Sequence, residues 1–152
     1  MRSSCARTHG PAHLPLPLHP LFTPRDALEV VMLAASQPAV FETLALVLDH
    51  THHGNTIVVV DNASTATEVT EVCEIISTAI GLGSAFVLAT MRPGSPLSVA
   101  PIDHDAWFQM REISEDFGVE LLDWFVVADG FAQSMSELTD SRCLWRGVRP
   151  SR

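Results

Sequence analysis

The run Ser84-Ala85-Phe86-Val87-Leu88-Ala89 restricts the possible folds of this chain more than any other stretch. It is uncharged and apolar over a strand's length, so it reads as a buried strand. The chain leaves it through a loop rich in Pro, Gly and Ser and enters an amphipathic helix near Ile102. Ile102, Ala106, Met110, Ile113 and Phe117 recur at helical spacing and predict the buried face of that helix, with Gly118 as its stop. A buried strand that empties through such a loop into a helix belongs to α/β folds, and the loop is a common place for a site.

The flanking segments fit the same class. Thr23-Pro24-Arg25-Asp26 is a helix start, with a hydroxyl cap, Pro at the first position and an acid at the positive helix end. Leu28, Val31, Met32 and Ala35 predict its apolar face. Residues 41–48 and 57–60 read as paired strands. His50-Thr51-His52-His53-Gly54-Asn55 is the hairpin loop between them, with Gly54 and Asn55 expected to supply positive φ. Thr65-x-x-Glu68 is a capping box, and Val69, Val72, Cys73, Ile76 and Ile80 form the buried face of the helix it starts. Residues 121–127 read as the closing strand, followed by an Asp129-Gly130 turn and a further short strand. The expected architecture is α/β: a single mixed sheet flanked by about three helices. Residues 1–22 are expected to be a Pro- and His-rich arm, residues 23–138 the domain, and residues 139–152 an Arg-rich tail.

The stretch from Ala89 to Trp107 resembles the metal motif of the JAB/MPN metalloprotease family, in its RadC-like branch. That motif is His-x-His followed by Pro, with Ser eight residues and Asp eleven residues after the second His. On this chain Pro93 and Asp103 fall in register, whereas Thr90 and Arg92 stand at the two His positions and Ala100 at the Ser position. Residues 41–49 are similar to the family's opening strand. Residues 117–130 are similar to its closing strand, where the family usually has His in place of Trp124. The resemblance covers Thr23 to Leu138 and implies the cytidine-deaminase-like arrangement of that family.

In the family, the two His and the Asp hold zinc, a Glu on an early strand is the general base, and the Ser supports the oxyanion. The resemblance makes Glu42 the nearest counterpart of that base. With only Asp103 kept and a permanent cation at Arg92, the motif is metal-deficient and no cofactor is expected. Arg92 and Asp103 are expected to pair instead. The expected role is a non-catalytic binding or scaffold module with a protein partner or a second copy. A zinc-dependent hydrolase is the alternative, with ligands relocated to His52, His53 or His104. A DNA-repair role, implied by the family name alone, is the third reading.

Charge argues against nucleic acid as a partner. All 18 carboxylates lie between Asp26 and Asp140, where Arg92 and Arg111 are the only Arg residues and Lys does not occur. A phosphate backbone would be repelled by such a body. The absence of Lys and Tyr also removes two common proton-transfer groups. Cys5, Cys73 and Cys143 are too widely spaced for a Cys-x-x-Cys site. With no apolar run of membrane-spanning length, they predict a reduced, cytoplasmic protein.

Overall fold

The computed structural model describes residues 6–9, 20–21, 23–95 and 99–139. His13, His19, Cys5, Cys143 and the Arg-rich segment after Thr139 lie outside them. The strands are β1 (Ala6–His9), β2 (Glu42–Leu48), β3 (Gly54–Asp61), β4 (Ala85–Met91), β5 (Glu120–Ala128) and β6 (Phe131–Ser134). The helices are α1 (Pro24–Met32), α2 (Ala66–Ala79), α3 (Pro101–Asp116) and the single turn α4 (Met135–Leu138). The strands form one sheet in the order β1-β3-β2-β4-β5-β6, antiparallel except for the β4–β5 pair. This is the expected mixed α/β sheet. The segment expected as an arm contributes its edge, since Ala6–His9 pair with Ile57–Val60.

Every residue of β2 and of β4 is buried, because both strands are central and covered on both faces. On one face α2 and α3 cover Ala45, Val47, Phe86, Leu88, Trp124 and Val126. On the other, α1 and Leu21 cover Leu44, Leu46, Val87, Ala89, Leu122 and Phe125. Both capping boxes form: Thr23 Oγ1 accepts from the Asp26 N–H at 3.2 Å, and Thr65 Oγ1 from the Glu68 N–H at 3.2 Å.

Two local expectations are corrected. Gly54 and Asn55 belong to β3, and the positive φ of the β2–β3 hairpin is carried by His52 at 63°. The backbone there is held by the Asp49 carbonyl, which accepts from the His52 N–H at 2.8 Å, and by the Asp49 carboxylate, which accepts from the N–H groups of Thr51 and His53. The buried face of α3 is also rotated. Asp103, Ala106, Trp107, Met110 and Ser114 are buried, whereas Ile102 is 60% exposed and Phe117 41% exposed. Trp107 has the greater volume, and Asp103 is drawn inward by a cation, so these two residues set the helix rotation.

Candidate functional site: the remodelled end of β4

Strand alternation decides which side chains meet at the end of β4. Thr43 on β2 is opposite Thr90 on β4, and Glu42 is opposite Met91. Successive strand residues face opposite sides, so Thr43, Thr90 and Arg92 share the α2–α3 face while Glu42 turns to the α1 face. There Glu42 is fully buried, and its carboxylate accepts from the Ser36 N–H at 2.8 Å and the Ser36 hydroxyl at 2.9 Å. It secures the segment after α1 and does not reach Asp103. Thr43, the next residue, points to the α2–α3 face, where it meets Thr90.

On the α2–α3 face the motif positions converge. The Arg92 guanidinium makes two parallel bonds to Asp103, Nη1 to Oδ2 at 3.1 Å and Nη2 to Oδ1 at 3.0 Å. This fork matches a carboxylate and is among the stronger hydrogen-bonded ion-pair geometries. The third donor, Nε, reaches the Ser64 carbonyl at 2.9 Å, just before α2. Asp103 Oδ2 also accepts from the Ala100 N–H at 3.0 Å. Ala100 has no side chain to cap α3, so the carboxylate of Asp103 satisfies that amide at the positive end of the helix. The Asp103 side chain is 3% exposed and that of Arg92 17% exposed.

Behind the pair lies a directed hydrogen-bond chain. Trp124 Nε1 donates to Thr90 Oγ1 at 2.9 Å, Thr90 and Thr43 Oγ1 are 2.9 Å apart, and Thr43 donates to the Ala63 carbonyl at 2.6 Å. Each hydroxyl has one proton, so Thr90 is the donor to Thr43. The Arg92 guanidinium carbon lies 5.8 Å from the centroid of the Trp124 ring, within cation–π range. Trp124 therefore fills volume, fixes Thr90 and supports the guanidinium.

These residues do not fit a zinc ion. A catalytic zinc takes about three protein ligands of His, Cys or carboxylate type. Here one carboxylate remains, and its two oxygens are engaged by a cation that cannot be deprotonated. His104 follows Asp103 on α3, but His52 and His53 sit on the hairpin beyond Leu48, at the other end of β2. Seven strand residues separate the two ends by about 20 Å at ~3.3 Å per residue. Among the described residues, no three His, Cys, Asp or Glu side chains gather closely enough to hold a metal ion. Burial pushes the pKa of His52 down, against an opposing pull from Asp49. His53 Nδ1 lies 2.7 Å from the Thr51 hydroxyl and 3.8 Å from Asp49.

Outside the pair, a hollow of about 380 Å³ opens between the starts of α2 and α3, lined by Phe41, Ser64, Thr67, Ser95, Arg92 and Ile102 among others. Phe41 is 47% exposed at its rim. A second polar cluster escaped the sequence reading. Asp123 is fully buried at a bulge in β5 and accepts four bonds: from the N–H groups of Trp124 and Ser136, and from the hydroxyls of Ser134 and Ser136 at 2.6 and 2.9 Å. Burial pushes its pKa up, against the pull of those donors. The cluster anchors α4 to β5. Its sequence signal is a lone Asp inside an apolar strand, followed by a Ser-x-Ser pair.

No match was found among curated proteins. No helix among the described residues is long and apolar enough to cross a membrane. Residues 21–140 match the RadC-like JAB domain, most of the chain, and the mixed sheet with its strand–loop–helix unit at β4 agrees with that match. The chain belongs to the RadC-like JAB domain family.

Proposed function

We propose that this protein is a non-catalytic member of its family, a binding or scaffold module that has exchanged its metal for an internal ion pair. The observation that carries this reading is the two-pronged Arg92–Asp103 contact at the position where the family's motif assembles zinc. The guanidinium supplies the positive charge that Asp103 needs, and it bridges β4 to the starts of α2 and α3. The loop is thereby fixed without a metal. Among the described residues, the two hydroxyls behind the pair, Thr43 and Thr90, are committed to one another, and the Glu42 carboxylate faces away on the α1 side. The exposed Phe41 and Ile102 at the hollow favour a protein partner or a second copy. The acidic body disfavours nucleic acid.

Zinc titration calorimetry compares the wild type with the double variant Thr90→His/Arg92→His. The expected result is no saturable uptake by the wild type and uptake approaching one zinc per chain in the variant. Saturable wild-type uptake at one zinc per chain, lost in Asp103→Asn, would overturn the proposal.

A further inference from the structure

A hollow of about 430 Å³ lies between α1 and the β5–β6 turn. It is on the face of the sheet opposite the Arg92–Asp103 pair, because Met91 and Pro93, on either side of Arg92, turn toward α1 and line it. Most of its wall is apolar, from Leu28 and Met32 on α1, Met91 on β4 and Val127 on β5. Pockets of about 300–1,000 Å³ with such walls take small organic ligands. The two Met side chains are flexible enough to fit around one.

The polar groups of the hollow decide which ligand it suits. Ser36 lines it, but both the Ser36 N–H and the hydroxyl proton go to the fully buried Glu42 carboxylate, at 2.8 and 2.9 Å. A hydroxyl has one proton, so Ser36 Oγ is left as an acceptor. Asp129 stands in the β5–β6 turn at φ 44°, and its Oδ1 accepts from the Gly94 N–H at 3.1 Å. Its Oδ2 meets no donor among the described residues. Phe131, two residues on, lines the same hollow and is 66% exposed, and the face of an aromatic ring attracts cations. Gln37 brings a donor and an acceptor together and selects neither sign. Among the described residues no Arg or His lines the hollow. Arg25 lies in an adjoining hollow that shares Leu28 and Ala132, in the company of Glu137. The apolar hollow therefore offers acceptors, a carboxylate and an aromatic ring, and calls for a ligand that carries hydrogen-bond donors and a positive charge.

We propose that this hollow binds a small apolar amine in its protonated form, with the ammonium at Asp129 and Phe131 and the hydrocarbon part against Leu28, Met32, Met91 and Val127. The site is built from residues other than those of the ion pair, so it stands whether or not that pair has replaced a metal.

The test titrates isotope-labelled full-length protein at neutral pH with 2-phenylethylamine, and separately with 3-phenylpropionate, which keeps the ring and reverses the charge. Amide shifts are read by NMR. The expected result is saturable shifts at Leu28, Met32, Val127 and Ala132 with the amine, and none that saturate with the acid. Asp129→Asn keeps the positive φ and the acceptor for Gly94, and should weaken the amine by about fivefold. Ala132→Trp adds bulk to the lining at an exposed strand position and should abolish the saturable shifts. Equal binding of the two probes would overturn the proposal, and so would the absence of saturable shifts with the amine. Amine shifts spread over the acidic surface, unchanged by both variants, would show ion-atmosphere binding only and would overturn it as well.

Discussion

Replacing Arg92 by Met removes the cation and keeps much of the apolar stem, and its cost follows from what is left behind. Asp103 would retain only the Ala100 N–H as a donor while 3% exposed. Breaking a buried pair from one side costs roughly 3–5 kcal/mol. The site opens into the hollow, and Arg92 is itself 17% exposed, so the lower end applies, about 3 kcal/mol. Asp103→Asn is the milder perturbation. Its neutral amide strands no charge inside, and Arg92 keeps the Ser64 carbonyl and the Trp124 ring. About 1–2 kcal/mol is expected for that change. The double variant should cost less than the two singles together, with a coupling of about 1.5 kcal/mol or more. Urea unfolding of all four proteins measures this cycle, and the Arg92→Met loss should also appear as a fall in Tm of about 6–12 °C. An Arg92→Met cost below about 1 kcal/mol, or singles that simply add, would refute the claim that the pair holds the loop.

Other outcomes follow from the polar groups elsewhere. Asp123→Asn should be tolerated within about 1 kcal/mol near neutral pH, because its oxygen can accept both N–H groups while its amide donates to the serine hydroxyls; Asp123→Ala should cost about 2–4 kcal/mol in urea unfolding. The raised pKa of Asp123 contributes stability below the unfolded value near 3.8, lost as pH rises through the folded value, and Asp123→Asn should flatten that part of the stability–pH curve. His52 has the opposite sign: its lowered pKa favours the neutral ring, so its contribution is present above 6.5 and lost as pH falls through the folded value. His52→Asn, which tolerates the positive φ, should remove that acid-side loss in thermal melts from pH 7.5 to 5. Gly118→Ala should destabilise by about 1–2 kcal/mol in urea unfolding, since φ is +73° there and a Cβ would stand 2.5 Å from Leu82 Cδ2.

Much of the fold was legible because its central strands are continuous apolar runs. Residues 85–89 and 121–126 are buried from both sides, and caps such as Thr65-x-x-Glu68 mark helix starts by local chemistry alone. The Arg92–Asp103 register was also legible, since the spacing of the motif sets both residues at one strand–helix junction. The rotation of α3 was not. Periodicity selected Ile102, but a buried Asp that caps the helix and binds a cation outweighs one apolar side chain left in water. Glu42 and Thr43 show a second limit. They are adjacent, and a one-residue register difference exchanges the faces of the sheet, so only the pairing of Thr43 with Thr90 decides which one shares the face of Arg92 and Asp103. Asp123 was hidden for a related reason: its donors come from β6 and α4, beyond the reach of strand patterning.

Under the proposed reading, the Arg92–Asp103 ion pair stands where the family's motif would hold zinc. Elemental mass spectrometry on tag-free protein, purified without chelator and dialysed, distinguishes the two. The wild type should carry far less than one zinc per chain. Near-stoichiometric zinc that survives dialysis and disappears in Asp103→Asn, or in a His52, His53 or His104 variant, would contradict it.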